Sequence, residues 1–230
     1  MGEPRFGETL GTLNDLLRTR AREMPEKTAF SFLVDGEQAG DRLLYGELDA
    51  RARSIAAQLV RAGAVGERAL LLYPPGLEFA AAFFGCLYAG TVAVPAYPPA
   101  RRTLDRLRSI ALDAQPRVAL TTAGQRARYE ALLGKVPELG GLHWLATDEA
   151  AEAPAGAWSE PPVGRDALAL LQYTSGSTAA PKGVEITHGN LLSNEEMIRQ
   201  AFGQSSDSVV VGWLPVYHDM GLIGNLLQPI

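Results

Sequence analysis

The stretch LQYTSGSTAAPKGVEITHGN, residues 171–190, places two Ser, three Thr, three Gly, one Lys and one Pro directly after the apolar run at 167–171. Hydroxyls and successive backbone N–H groups at the carboxyl end of a buried strand form a concavity for anions, and open α/β sheets place their ligands at that end. Lys182 adds a point charge suited to phosphate. The chemistry this composition points to is the grip of a nucleotide triphosphate. It is not a Walker A loop, because Lys182 lies between Pro181 and Gly183, where no helix can start at the lysine as a P-loop requires. Nor is it a nucleophile elbow, since Ser175 and Ser177 lack the flanking glycines of Gly-x-Ser-x-Gly. His188 and His218 show neither His-Glu-x-x-His nor Cys spacing, so no metal-ligand set is expected.

Such a loop must be held by a buried sheet, and the rest of the chain supplies the pattern of one. Residues 28–34 and 42–45 read as a hairpin with its turn at 35–40. From Tyr45, Leu48, Ala52, Ile55, Leu59 and Val60 share one helical face, closing at Gly63 as a C-terminal cap. Strand 69–73, a buried helix 77–88 and strand 91–94 follow. Then come helix 104–114 before Pro116, strand 118–122, helix 125–135 and strand 143–147. Residues 148–165 are rich in Ala, Pro, Gly and Glu without period and read as a surface linker. Beyond it lie strand 167–174, the loop, helix 190–201, strand 208–214 and an apolar segment from Gly221. Strand and helix alternating in this way predict an α/β fold with a mostly parallel sheet covered on both faces. The expected organisation is a first α/β portion at 1–147, the linker at 148–165, and the start of a second α/β portion at 166–230.

Composition narrows the function classes. The chain has 230 residues, 47% apolar and 20% charged, with a net charge of -5. That balance gives no electrostatic reason to bind nucleic acid or an anionic membrane. The one basic cluster, Arg101, Arg102, Arg106 and Arg108, reads as the solvated face of a helix. Residues 79–100 carry no charge for 22 positions, a length that could span a bilayer. Gly85, Gly90, Pro95, Pro98 and Pro99 interrupt the run, so it reads as a buried helix, a turn and a buried strand, with no membrane span. Cys86 is the single cysteine and lies in an apolar stretch, which fits an inert thiol in a reducing cytoplasm. No targeting segment is visible at the N-terminus. The chain stops at Ile230 within an apolar run, as a piece of a longer protein would.

The residues also carry a resemblance. YTSGSTAAPKGV (173–184) resembles the phosphate-binding motif of adenylate-forming enzymes, the superfamily of acyl-CoA synthetases, peptide adenylation domains and luciferases. WLPVYHDMGLIG (213–224) is similar to the next core motif, in the wording of fatty acyl-AMP ligases, and GTVAVPAYPP (90–99) resembles the N-terminal signature of that subfamily. The resemblance covers the whole chain but only the first part of the family's large N-terminal domain. It implies that Thr174, Ser175, Gly176, Ser177 and Thr178 wrap the β- and γ-phosphates of ATP, with magnesium sharing them and Lys182 contributing charge. His218 would then orient the carboxylate or the α-phosphate. Met220, Gly221, Leu222 and Ile223 would suit the wall of an alkyl tunnel or, equally, plain core, and Asp219 a cap. Many relatives have Gly where this chain has Ala179, and Ala tolerates positive φ poorly.

The reaction so implied is activation of a fatty acid by ATP to an acyl-adenylate, followed by transfer to the phosphopantetheine thiol of an acyl carrier protein. The adenine-binding motif, the ribose-holding aspartate, the hinge and the catalytic lysine of the family's small domain do not occur in these residues. The chain alone is therefore expected to form no adenylate. Acyl-CoA synthetases and peptide adenylation domains share the first half-reaction, so the acceptor and the acid stay open. A non-catalytic nucleotide- or lipid-binding remnant is the alternative outside the enzymes.

Overall fold

The computed structural model describes residues 10–133, 136–149, 158–174 and 181–230. Its centre is a six-stranded sheet of β3 (Arg68–Leu71), β4 (Val92–Pro95), β5 (Val118–Thr121), β6 (His143–Ala146), β7 (Leu168–Thr174) and β8 (Lys182–Thr187). The spatial order is β6-β5-β3-β4-β7-β8, parallel throughout except that β8 runs antiparallel to β7 at the edge. A hairpin of β1 (Thr28–Val34) and β2 (Gln38–Leu44) stands apart from it. Parallel strands need crossovers long enough for a helix, and the chain provides α3 (Leu77–Tyr88), α4 (Leu104–Ala114), and α5 (Ala123–Leu133) with the short α6 (Pro137–Gly140), while α2 (Tyr45–Arg61) links the hairpin to β3. Helix α1 (Leu13–Glu23) precedes them, and α7 (His188–Phe202) and a π-helix (Met220–Leu227) follow.

Alternation along the strands divides the core. On one face Ala69, Leu71 and Tyr73 meet α1, α2, α3, α7 and the π-helix. On the other, Leu70, Leu72 and Val94 meet Leu107, Ile110 and Ala111 of α4, with Tyr129 and Leu139. Strands β4 and β5 are buried along their whole length, which is why they read as continuous apolar runs. Helix α3, with Phe79, Phe83 and Phe84 fully buried, is core. Among the described residues no helix is long and apolar enough to cross a membrane. Cys86 is buried and its thiol is pushed well up by desolvation.

Several expectations are corrected. The hairpin turn is tighter than 35–40: Asp35 and Gly36 both adopt left-handed φ, 53° and 78°, the conformation that favours Asp-Gly in hairpins, and β2 begins at Gln38. Val60 is exposed, while Leu48, Ala52, Ile55 and Leu59 are buried as expected. Residues 208–214 form no strand. Their β-branched run has the propensity, but a strand needs a ladder partner, and Val209, Val211 and Trp213 are 87%, 72% and 86% exposed. Residues 182–187, read as loop, are instead β8. Both β7 and β8 lie in the same sheet as β3–β6. Part of the segment at 148–165 falls outside the described residues; from Trp158 it packs back on the body, Trp158 stacking on Tyr88 at 5.3 Å.

Helices α1 and α7 are joined at their N-termini by a buried histidine. Thr187 caps α7 in a capping box with Asn190, which places His188 at the first helical position, 1% exposed. Its Nδ1 accepts the N–H of Leu13 at 3.2 Å, one of the donors a helix start leaves without an internal partner. Burial, partly offset by Asp15, lowers the His188 pKa from 6.5 to about 4. The fold therefore holds the neutral ring, while the unfolded chain takes up a proton below pH 6.5. The stability so contributed is complete above pH 6.5 and is lost as pH falls toward 4. In the intact protein, melting temperature should fall across that window relative to His188→Gln, whose amide oxygen can still accept the Leu13 N–H. Parallel curves for the two proteins would refute the linkage.

Candidate active site

The end of β7 and the start of β8 face each other across the loop, with register pairs Gln172↔Val184, Tyr173↔Gly183 and Thr174↔Lys182. Thr174 and Lys182 are thus brought opposite each other, both exposed. Ser175, Gly176, Ser177 and Thr178, with Ala179, lie outside the described residues. The strand pair is anchored from below. Tyr173 is buried, and its hydroxyl donates to Asp113 Oδ2 of α4 at 2.5 Å. Burial first, then that carboxylate, push its pKa upward. Its ring lies over Gly183, where a Cβ would come within 3.0 Å of the ring. A residue without a side chain in β8 is what lets the tyrosine fold across.

Gln172 ties this hairpin to the histidine-bearing segment: its Nε2 donates to the Tyr217 carbonyl at 2.9 Å. Its Oε1 is buried without a hydrogen-bond partner. His218 follows in a turn fixed on both sides, its N–H donating to Pro215 O at 3.0 Å and its carbonyl accepting from Leu222 N at 2.8 Å. The imidazole is exposed, with Nε2 at 3.3 Å from Tyr97 Oη. Tyr97 packs against Tyr217 with ring centroids 4.2 Å apart and meets the imidazole edge-on at 5.9 Å and 90°. Tyr97 stands two residues past β4, so the stretches at 90–99 and 213–224 meet in space. Tyr97 lies within the stretch GTVAVPAYPP, but nothing in its local sequence points to a role. No spacing rule links residues 121 positions apart.

The basic cluster is not uniformly solvated. Arg101 and Arg102 are exposed and Arg108 pairs with Glu138, but the Arg106 guanidinium lies over the Tyr97 ring, 5.3 Å from its centroid. Asp219 caps the π-helix, its Oδ1 accepting from Met220 N at 2.7 Å. The four residues that follow do not share an environment. Met220 is 60% exposed, Leu222 is fully buried in the main core, and Ile223 packs against that core partly buried. Gly221 is buried against Leu214 and Pro215, where a Cβ would sit 2.7 Å from the Pro215 carbonyl carbon. A groove of about 630 Å³ lined by Phe32, Arg42, Arg51 and Glu78 lies at the hairpin and holds none of these residues. Among the described residues no three His, Cys, Asp or Glu side chains come together as a metal site.

A family model described as "AMP-binding enzyme" matches residues 17–230. The chain is 45% identical over 238 residues to the medium-chain-fatty-acid–[acyl-carrier-protein] ligase JamA of Moorena producens (strain JHB), matching over its whole length and spanning 39% of that relative's. It superposes on the fatty acid AMP ligase of Legionella pneumophila with TM-score 0.90 and 37% identity, over 99% of this chain and 39% of that one. It also superposes on the L. pneumophila fatty acyl-adenylate ligase in complex with acyl adenylate and pyrophosphate, with TM-score 0.89 and 36% identity over the same shares.

Proposed function

The chain belongs to the AMP-binding enzyme family, and from that premise we propose that it is the triphosphate-gripping and acid-orienting part of a fatty acid–AMP ligase. The observation that carries the reading is the convergence at one end of the parallel sheet. Thr174 and Lys182 stand at the ends of β7 and β8, and His218 is tied to the same hairpin through Gln172 and Tyr217.

The reaction is in-line displacement. A fatty carboxylate oxygen attacks the α-phosphorus of ATP, the bond to the bridging oxygen breaks, and pyrophosphate leaves. Thr174, Ser175, Gly176, Ser177 and Thr178 would donate to the β- and γ-oxygens, and Lys182 would offset their charge, so that the leaving group is aligned before attack. His218 would orient the carboxylate or the α-phosphate, being an exposed imidazole on a backbone fixed at both ends. Of 220–223, the exposed Met220 and the partly buried Ile223 would be the ones to meet an alkyl chain, Leu222 being core. Magnesium accompanies a triphosphate largely through phosphate oxygens and water. It would neutralise charge there, and the described residues bring no acidic cluster of their own to it.

The acyl group would then pass to the phosphopantetheine thiol of an acyl carrier protein, with AMP leaving. That acceptor is supported by the JamA relative. The buried single cysteine supports a cytoplasmic setting. In the intact protein, ATP–pyrophosphate exchange should depend on a fatty acid and not on amino acids, and acyl transfer should reach holo-carrier protein in preference to coenzyme A. Exchange driven by an amino acid alone would overturn the fatty-acid reading.

A further inference from the structure

His218 does not hold its ring orientation by itself. The turn fixes its backbone, but an exposed imidazole can still rotate about two bonds and can carry its proton on either nitrogen. The Tyr217 ring packs on it at 5.3 Å between centroids, but the polar group that meets it is Tyr97, whose Oη lies 3.3 Å from Nε2 and whose ring stands perpendicular to the imidazole. Tyr97 is in turn constrained by Tyr217, 4.2 Å away between centroids, and by Arg106 over its ring. Arg106 takes part in none of the ion pairs among the described residues, and its Nε is buried without a hydrogen-bond partner. The guanidinium is therefore committed to the aromatic face. A cation there draws electron density from the ring, which makes the phenol a better donor and a poorer acceptor.

We propose that Tyr97 is a positioning residue that acts through His218. Its hydroxyl donates to Nε2, so the neutral imidazole carries its proton on Nδ1 and presents that N–H to the oxygen it orients. The inference rests on the role of His218 in adenylate formation given above. Because Tyr97 and His218 come from separate motifs, the contact joins the end of β4 to the start of the π-helix at the site itself.

The test is a double-mutant cycle in the intact enzyme, read by fatty-acid-dependent pyrophosphate exchange. Tyr97→Phe keeps the ring and its packing and removes only the hydroxyl. It should lower kcat about three- to tenfold, the size of one neutral hydrogen bond, with KM for acid and ATP unchanged. In a His218→Ala background the same change should have no further effect. Imidazole ¹⁵N spectra should show His218 as the Nδ1–H tautomer in the parent and a mixture in Tyr97→Phe. An equal loss with and without His218 would overturn the inference while leaving the role of His218 intact. Unchanged exchange in His218→Ala would overturn that role, and this inference with it.

Discussion

Lys182→Ala in the intact enzyme should slow adenylate formation about ten- to a hundredfold, because one charged donor to a phosphate contributes about 1.5 to 3 kcal/mol. Lys182 is exposed at the first position of β8, so the loss should come without a fall in melting temperature. Ser177→Ala, which removes a neutral hydroxyl, should cost less, about 0.5 to 1.5 kcal/mol. Neither change touches the second half-reaction, from which pyrophosphate has already gone. Preformed acyl-adenylate should therefore restore carrier-protein loading in both variants to near the parent rate. A Lys182→Ala enzyme as slow with adenylate as with ATP would show that the loop is structural and grips no phosphate.

Gly221→Ala should be comparably damaging for a different reason. A Cβ at this position would collide with the Pro215 carbonyl, 2.7 Å from its carbon, and lie 2.9 Å from Leu214 O. Those are backbone atoms and cannot rotate away. The same Pro215 oxygen accepts the His218 N–H, so relieving the clash moves the turn that holds the imidazole. Misplacement of a reacting group by about 1 Å costs on the order of a hundredfold in rate, and that is the loss expected in pyrophosphate exchange, with far-UV circular dichroism unchanged. Activity within twofold of the parent would mean that this turn does not set the position of His218.

What the sequence made legible follows from the range of each signal. Helix α2 declares itself by a repeating apolar face, and β4 and β5 by apolar runs bounded by Gly and Pro. These are local signals, and the structure agrees with them. Strand β8 was hidden because its first half, KGV, belongs to the motif at 173–184, which reads as loop, and its partner is β7 next door. Residues 208–214 failed in the opposite direction, since β propensity reports a side-chain preference and says nothing of a neighbour to pair with. At the candidate site, the motifs pointed to Thr174, Lys182 and His218. The contacts that hold them, Tyr173 to Asp113, Gln172 to Tyr217 and Tyr97 to His218, join residues far apart in the chain. Arg106 was read as a solvated charge because a helical wheel cannot show an aromatic ring arriving from another element.

The strand order β3-β4-β7 bears on how the chain leaves the ribosome. Strands β3 to β6 are all available by residue 146, but β4 keeps one bare edge until β7 begins at Leu168. The two strands are separated by about seventy residues, which take roughly 4 to 15 s to synthesise at ordinary elongation rates. For that interval Ala93 and Val94, which face opposite sides of the nascent sheet, border an open ladder to which another chain could pair. Pro95, with no N–H to offer, blunts one end of it. The strand that seals the edge is the one that ends in Thr174. Closure of the sheet and delivery of the segment proposed to hold phosphate are thus a single event in biosynthesis, and a mutation that weakens β7 would be met first as aggregation of newly made protein.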